Sequence, residues 1–109
     1  MTVEAFARES GFKVVCMPSP DKEIDGAYVG DLLSWVMGKA NSGNLWITIM
    51  SNVNIVAVAT LADISCIILA EGVNPDADAL KVAQEKGVNI LSTDESAYLA
   101  SVKTAEIIV

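Results

Sequence analysis

Short apolar runs and helix-length segments alternate along the chain, and turns rich in Pro, Gly, Asn and Asp separate them. Runs enriched in β-branched and apolar residues predict strands, because such residues favour the extended conformation. The predicted strands cover residues 12–17, 27–29, 45–50, 64–69 and 88–91. Helical spacing of apolar positions, together with capping residues such as Thr2, Gly11 and Asn74, predicts five helices. These cover residues 2–10, 31–40, 51–62, 74–86 and 93–105.

The second half of the chain reads β-α-β-α-β-α, with strands that are short and almost entirely apolar. A strand that is apolar on both faces is covered on both faces, which is typical of a parallel sheet with right-handed helical crossovers. We therefore predict an α/β fold with a mainly parallel β-sheet covered by helices. A length of 109 residues fits one domain that spans residues 1–109.

The segment 51–62 is ambiguous between strand and helix. Its valines and isoleucine favour a strand, whereas Ser51 or Asn52 could cap a helix that continues to Leu61. We predict a helix, because the three alanines of this segment suit close packing of a helix against a sheet. Apolar residues surround this helix on all sides, so we expect it to be buried on more than one face.

The predicted helix 31–40 begins at Asp31, a common capping residue, and carries a stripe of apolar side chains on one face. The stripe consists of Leu32, Leu33, Val36, Met37 and Ala40. Trp35 lies about 60° beyond the edge of this stripe, when each residue turns 100°. Trp35 therefore belongs either to the core or to a subunit interface, where aromatic side chains are enriched. Trp46 faces the same side of its strand as Thr48 and belongs either to a second core face or, with Trp35, to that interface.

The mean hydropathy of +0.45 is high for a chain of this size. It indicates a membrane segment, an unusually apolar core, or apolar surface covered by a partner. The membrane candidate, residues 53–70, contains Asp63, whose insertion near the centre of a bilayer costs about 2.5–3.5 kcal/mol. The segment also divides into a helix and a strand at Ala62-Asp63, so we expect no spanning helix and no membrane partner.

Charge and composition exclude several classes of function. The chain has 7 basic and 14 acidic residues, a net charge of −7, which disfavours nucleic acids and anionic membrane surfaces. Without histidine the chain has no Ser/His/Asp or Cys/His catalysis and lacks the usual zinc ligands. Cys16 and Cys66 lie in apolar strand-like runs, where we expect buried, unreactive thiols. No signal peptide precedes them, so we expect a cytoplasmic protein, and no residue pattern indicates a cofactor or a metal.

The glycines at positions 30 and 38 do not form a phosphate-binding loop. Seven residues separate them, whereas a Walker motif needs four, and Ala40 follows Lys39 in place of Ser or Thr. No GxGxxG fingerprint of dinucleotide-binding proteins occurs either. Kinase chemistry that relies on a phosphate loop therefore has no basis in this sequence.

Polar residues follow the predicted strands at positions where helices begin. In an open α/β sheet, ligands bind at the carboxyl ends of the strands, where free backbone N–H groups point outward. A small anionic metabolite could therefore bind near the residues Gly30, Asp31, Ser51, Asn52, Glu71 and Gly72. The alternative, which we favour, is that Asp31, Ser51 and Asp94 cap the helices that follow them.

Several segments together resemble the DRTGG domain family. They are residues 24–34 (IDGAYVGDLLS), 45–48 (LWIT), 52–59 (NVNIVAVA), 67–72 (IILAEG), 83–88 (AQEKGV) and 90–94 (ILSTD). The resemblance implies an α/β domain similar to the N-terminal domains of HPr kinase/phosphorylase and of Mur ligases. It also implies a relation to the non-catalytic DRTGG modules of phosphotransacetylases and CBS-containing pyrophosphatases. From it we expect homodimerisation and a regulatory or ligand-sensing role.

The chain departs from the family where the name originates. Ser51-Asn52 replaces the Asp-Arg of many members, and Ala70-Glu71-Gly72 replaces Thr-Gly-Gly. The missing arginine removes a candidate contact to an anion, and Glu71 adds a negative charge beside it. We therefore expect a non-catalytic regulatory domain that forms a homodimer and binds a protein partner. The alternative is a sensor of an anionic metabolite or nucleotide, whereas the missing phosphate loop disfavours HPr serine kinase activity.

Overall fold

Five strands form one sheet in the computed structural model, which describes residues 1–108. The strands are β1 (Lys13–Cys16), β2 (Ala27–Val29), β3 (Leu45–Thr48), β4 (Cys66–Leu69) and β5 (Ile90–Ser92). Their order across the sheet is β1-β5-β4-β3-β2. Neighbours from β2 to β5 are parallel, and β1 pairs antiparallel with β5 at one edge. The prediction of a mainly parallel α/β sheet is confirmed.

Five helices cover the two faces of this sheet. They are α1 (Val3–Ser10), α2 (Leu33–Lys39), α3 (Asn54–Leu61), α4 (Ala77–Lys86) and α5 (Ala97–Ile108). One core cluster joins α2, α3 and α4 to one face of the sheet, and a second cluster joins α1 and α5 to the other face. The three-helix side and the two-helix side are the two outer layers of the molecule.

The central strands β3 and β4 are buried along their whole length. Trp46 and Ile67 point into the cluster under the three-helix side, whereas Ile47 and Ile68 point into the other cluster. The prediction that successive residues of the strand beginning at Leu45 face opposite sides of the sheet is therefore confirmed. Full coverage on both faces requires apolar residues at consecutive positions, and this accounts for much of the high mean hydropathy.

The apolar segment 53–70 divides as predicted. The helix α3 ends at Leu61 and the strand β4 begins at Cys66. Within residues 1–108, none of the helices combines the length and the apolar character needed to cross a bilayer.

The capping residues of α1 follow the sequence prediction. The Thr2 hydroxyl accepts a hydrogen bond from Ala5 N at 3.1 Å, and Gly11 ends the helix in the left-handed conformation with φ 71°. Both devices satisfy backbone groups that have no partner inside the helix.

The helices α4 and α5 begin later than predicted. Asn74 does not cap α4, because Asp76 N donates to Ser51 O and holds Asp76 extended, so the helix begins at Ala77. Thr93 does not start α5, because Thr93 N still donates to Leu69 O at the end of the sheet. The first turn of α5 is instead capped by Ser96, whose hydroxyl accepts from Leu99 N at 3.1 Å.

The apolar stripe predicted for α2 is only partly buried. Val36 is fully buried, and Leu33 and Ala40 pack against the same cluster. Leu32 and Met37 remain exposed, because α2 has only seven residues and its crossover connects the edge strand β2 to β3. This half-covered helix leaves apolar side chains on the surface.

The predicted helix at 51–62 is confirmed as α3, and it is buried toward the sheet and toward its neighbours α2 and α4, although its outer side is exposed. Ile55, Val56, Val58 and Ala59 pack on the sheet or the neighbouring helices, whereas the outer row is exposed. The reason is that α3 lies in the outer layer, with α2 and α4 beside it and nothing above it within residues 1–108.

The two tryptophans have opposite environments. Trp46 is fully buried within its own chain, so its assignment to a subunit interface is wrong. Its indole Nε1 donates to Gly30 O at 2.9 Å, which satisfies the polar end of a buried ring. Trp35 is 57% exposed, with Lys39 Nζ 4.9 Å from its ring centroid. Its place in a subunit interface stays a prediction.

We expect Trp46→Phe to lower the free energy of unfolding by about 1–3 kcal/mol, because it leaves Gly30 O without its buried donor and opens a small cavity. The matched variant Trp35→Phe changes an exposed ring, and we expect a change below about 0.5 kcal/mol. Urea denaturation followed by circular dichroism measures both. Equal effects of the two substitutions would contradict the assigned environments.

Candidate functional site at the carboxyl ends of the strands

Because β2, β3, β4 and β5 are parallel, their carboxyl ends lie along one side of the sheet. We call this side the carboxyl edge, and it contains residues 30–31, 49–52, 70–72 and 93–95. All six candidate ligand residues lie on it, namely Gly30, Asp31, Ser51, Asn52, Glu71 and Gly72. All six residues therefore lie where the sequence predicted a ligand site. The hydrogen bonds that each residue already makes decide whether that residue can bind a ligand.

Asp31 links two strand ends and does not cap α2. Its Oδ1 accepts from Thr48 Oγ1 at 2.8 Å and from Ile49 N at 3.1 Å. The helix α2 begins two residues later, after Leu32, without a side-chain cap. The predicted capping role of Asp31 is therefore wrong, because the end of β3 offers it two donors.

Gly30 has both of its backbone groups engaged. Gly30 N donates to Ile47 O at 3.2 Å, and Gly30 O accepts the indole hydrogen of Trp46. A side chain at this position would also approach the Tyr28 ring, since an added Cβ would lie 3.1 Å from Cε2. Gly30 therefore permits close packing of its own chain and has no free donor for a ligand.

Of the two residues predicted to cap α3, Asn52 binds a backbone N–H group at the start of the helix and Ser51 does not. The cap residue of α3 is Val53, which makes no side-chain cap bond. Asn52 Oδ1 accepts from Asn54 N at 2.9 Å, a local turn of the kind that asparagine often forms. Ser51 contributes its carbonyl to Asp76 N, which ties the start of α3 to the start of α4. The predicted cap at Ser51 is therefore wrong.

Glu71 and Gly72 form a tight turn between β4 and α4. Their φ angles are 61° and 72°, and Val73 N donates to Ala70 O at 3.2 Å, which together are typical of a type I′ turn. Glu71 N donates to Glu95 O at 2.8 Å, and Gly72 N donates to Thr93 O at 3.0 Å. The donors that could have formed an anion-binding cradle are thus used by the loop after β5.

The Glu71 carboxylate supports the last helix. Its Oε2 accepts from Ala97 N at 3.0 Å, and Ala97 is the first residue of α5. A carboxylate at this position satisfies one of the free N–H groups of the helix start and is stabilised by the helix dipole. Because Glu71 is not glycine, its positive φ is strained, and the bonds to α5 and to the loop after β5 maintain it.

The carboxyl edge carries negative charge. Asp31, Glu71, Asp94 and Glu95 all lie on it, and Lys103 is the cation that pairs there, with Nζ 3.1 Å from Glu95 Oε1. Within residues 1–108 no group of three or more potential ligand side chains is arranged around a metal position. An anionic ligand would meet carboxylates and few unengaged donors here.

The six candidate residues do not line the three cavities described on residues 1–108. One cavity of about 320 Å³ lies beside β1 and the end of β5, and one of about 380 Å³ lies at the opposite side of the sheet near Asp25 and Asp63. A third, of about 350 Å³, runs between α3 and α4. We call it the α3/α4 groove; its lining includes Val53, Val56, Ala57 and Leu61 of α3 and its lead-in, and Val82 and Lys86 of α4.

Sequence reasoning did not find the α3/α4 groove. The signal was present, because the segment 54–61 contains no charged residue and is apolar on all sides. We interpreted that pattern as burial within one chain, whereas the structure exposes the outer row of the helix.

Both cysteines are free and buried, as predicted. Burial raises the pKa of the Cys66 thiol strongly and raises that of Cys16 as well. Neither thiol lies on the carboxyl edge, and a neutral buried thiol is a poor nucleophile.

A scan against models of protein families matches residues 23–107 of the chain to the DRTGG domain. The chain belongs to the DRTGG domain family. The match covers most of the sequence and includes every strand except β1. No curated protein matches the sequence of this DRTGG chain.

A solved structure with the same fold comes from Clostridium perfringens. It contains the CBS and DRTGG domains of the regulatory region of a pyrophosphatase in complex with an activator, diadenosine tetraphosphate. The TM-score is 0.67 at 13% sequence identity. The match covers 93% of this DRTGG chain and 44% of the pyrophosphatase chain, so the chain corresponds to less than half of that regulatory region.

The geometry explains one departure from the family motif. The resemblance implies that Ala70-Glu71-Gly72 stands where many DRTGG domains carry Thr-Gly-Gly, and both of the last two positions have positive φ. Glycine adopts this conformation without strain, which accounts for the paired glycines of the motif. This chain places Glu71 there instead and uses its carboxylate to hold α5.

We expect Glu71→Gly to be more stable than Glu71→Ala by about 1 kcal/mol. Both variants lose the carboxylate that accepts from Ala97 N, but only glycine relieves the strain of a positive φ. Urea denaturation of the two variants and of the wild-type chain measures the difference. A Glu71→Ala variant as stable as Glu71→Gly would show that the turn is not left-handed at this position.

We expect the free energy of unfolding to fall as the pH rises above about 8.5, the ordinary pKa of a thiol. The folded state raises the pKa of Cys66, so its stabilising contribution is complete below that pH and is lost progressively above it. Denaturation of wild type and Cys66→Ala between pH 7 and pH 10 measures this effect. The decline should be shallower in Cys66→Ala; parallel curves would contradict the assignment.

Proposed function

We propose that this DRTGG chain is a non-catalytic regulatory module that forms a homodimer and binds a protein partner. The observation that supports the proposal is a set of exposed apolar side chains on and beside α2, among them Trp35. Leu32, Trp35 and Met37 are all exposed, although α2 has only seven residues. Large exposed aromatic and aliphatic side chains are typical of protein interfaces.

The contacts at the carboxyl edge disfavour binding of an anionic metabolite, and for this reason we favour a protein partner. The backbone N–H groups of Gly30, Glu71 and Gly72 are all donated within the chain. The side chains of Asp31 and Glu71 accept bonds from Ile49 N and Ala97 N, and both are negative. A phosphate-like group would have to displace these bonds and overcome the repulsion of the carboxylates.

The alternative function is a nucleotide sensor. The observation that favours it is the structural match to a pyrophosphatase regulatory region in complex with diadenosine tetraphosphate. That region contains CBS domains as well as a DRTGG domain, and this chain corresponds to 44% of it. The sensor therefore stands as the second candidate.

Thermal unfolding separates the two candidates. We expect no shift of the midpoint with diadenosine tetraphosphate, ATP or inorganic phosphate, because the carboxyl edge presents few free donors. A ligand at 100 times its dissociation constant would add about 2.7 kcal/mol to the free energy of unfolding. A saturable shift with any of these three compounds would replace the proposed function by the sensor, and ATP turnover by the purified chain would replace it by an enzyme.

The homodimer is tested by light scattering coupled to gel filtration. We expect the wild-type chain to have twice its mass of 11.5 kDa at micromolar concentration. Trp35→Glu is expected to weaken the dimer, because it places a charge in the apolar surface, whereas Trp35→Phe should leave it unchanged. A monomeric wild-type chain at this concentration would remove homodimerisation from the proposal.

A further inference from the structure

The strand β2 lies at one edge of the sheet and pairs with β3 alone within residues 1–108. Gly26 O accepts a hydrogen bond from β3 at 3.0 Å, and Gly30 N donates one to β3 at 3.2 Å. Along a strand, alternate residues direct their backbone groups to the same side, and the residues between them direct theirs to the opposite side. Ala27 and Val29 therefore direct their N–H and C=O groups away from the sheet.

These outward backbone groups are accessible. Ala27 and Val29 are both exposed, and in the part of the chain that the structure describes their N–H and C=O groups form no hydrogen bonds. Tyr28, between them, packs on the core cluster under the three-helix side, so their side chains face the other layer. A free row of donors and acceptors along an extended segment is the surface to which an added β-strand binds.

The opposite edge of the sheet is protected against such pairing. The strand β1 contains Lys13, and its pairing with β5 shifts register between Val14 and Cys16. Pro18 follows two residues after the strand. A lysine, an irregular register and a proline are common features that protect an edge strand from a partner. The strand β2 has none of them, since its sequence is Ala-Tyr-Val and its register with β3 is regular.

The charge around β2 favours a basic partner strand. The segment 21–31, which includes β2, contains four acidic residues and one lysine. Asp25 lies two residues before β2 and Asp31 two residues after it, and both are exposed. The lysine of this segment, Lys22, has its Nζ 3.8 Å from Asp63 Oδ1, so it pairs with a carboxylate elsewhere. A strand with a cation near each end would add favourable charge contacts to the backbone hydrogen bonds.

The same charges disfavour a second copy of this chain at the β2 edge. Antiparallel pairing of two β2 strands that places Ala27 opposite Val29 also places Asp25 of each copy opposite Asp31 of the other. Like charges opposite each other across a strand pair are destabilising. Each copy also has a net charge of −7, which adds to the repulsion.

We propose that the free edge of β2 binds an extended segment of a protein partner as an added strand, and that this segment carries a basic residue near each end. The inference rests on the proposed protein partner and specifies its surface and the chemistry of the bound segment. Ala27 and Val29 supply the backbone hydrogen bonds, whereas Asp25 and Asp31 supply the preference for cations. Because β2 has three residues, the pairing is short, and we expect a weak complex that weakens further with added salt.

An NMR titration of the full chain tests the location. The probe is a short capped peptide of alternating valine and threonine with a lysine at each end, and the matched peptide has glutamate in place of both lysines. We expect the lysine peptide to shift the amide signals of Ala27 and Val29 most, because these amides gain acceptors. The amide of Tyr28, which is directed toward β3, should shift less. The glutamate peptide should bind about tenfold more weakly, since each end changes from attraction to repulsion.

A proline substitution tests the backbone hydrogen bonds. Val29→Pro removes an N–H group that is directed away from the sheet, and an edge strand tolerates proline at such a position. We expect Val29→Pro to lose binding of the lysine peptide, whereas Val29→Thr keeps the N–H group and should retain it. Circular dichroism verifies that both variants are folded. If Val29→Pro does not fold, the amide shifts and the charge variants decide.

Charge variants test the preference for a basic strand. Asp25→Asn combined with Asp31→Asn removes two charges and keeps the oxygen through which Asp31 accepts from the end of β3. We expect this pair of substitutions to weaken binding of the lysine peptide about fivefold. Asp78→Asn combined with Glu85→Gln removes the same charge from α4, which contacts β1 at the other edge of the sheet. This control should bind the peptide as the wild-type chain does.

The outcomes separate this inference from the proposed function. Absence of binding, equal binding of the two peptides, or amide shifts on another surface would overturn the β2 site and leave a protein partner to bind elsewhere. A wild-type dimer that Val29→Pro converts to a monomer would assign the edge to a second copy of the chain, which also overturns the inference. The proposed function itself fails on the thermal unfolding and ATP turnover described above, which do not involve this edge.

Discussion

The parallel pairing of β3 with β4 is the interaction on which the other elements depend. All eight residues of these two strands are buried, and they face two separate core clusters. Because the pair is covered on both faces, helices must pack on both sides, and each crossover must return to the same end of the sheet. The carboxyl edge and the three-helix side are both consequences of that constraint.

The sequence predicted the order and type of the elements because their signals are local. Thr2 and Gly11 bound α1 through contacts within one turn, and both were predicted correctly. Asp31 and Thr93 were wrongly assigned to helix starts, because donors and acceptors from neighbouring strands engage them. Trp46 could not be assigned from its strand alone, since its burial depends on helices distant in sequence. The α3/α4 groove was missed for the same reason.

The fold is that of a DRTGG domain, and side chains of its carboxyl edge bind other elements of the same chain. The tight turn at Ala70–Val73 requires two left-handed residues in any DRTGG domain that forms it, so glycine is the unstrained choice. In this chain the first of these positions is Glu71, whose backbone is strained there but whose carboxylate accepts a hydrogen bond from the last helix. The residues of this turn therefore act as connections between elements of the chain.

The hydrogen bond from Ala97 N to Glu71 also affects how firmly α5 is attached to the rest of the molecule. The helix is fastened at its start by Glu71, and Lys103 binds Ser10 O and Glu95 further along. Detachment of α5 would break its hydrogen bonds to three segments at once, namely those that contain Glu71, Ser10 and Glu95. Exchange of this helix between two copies of the chain is thereby opposed.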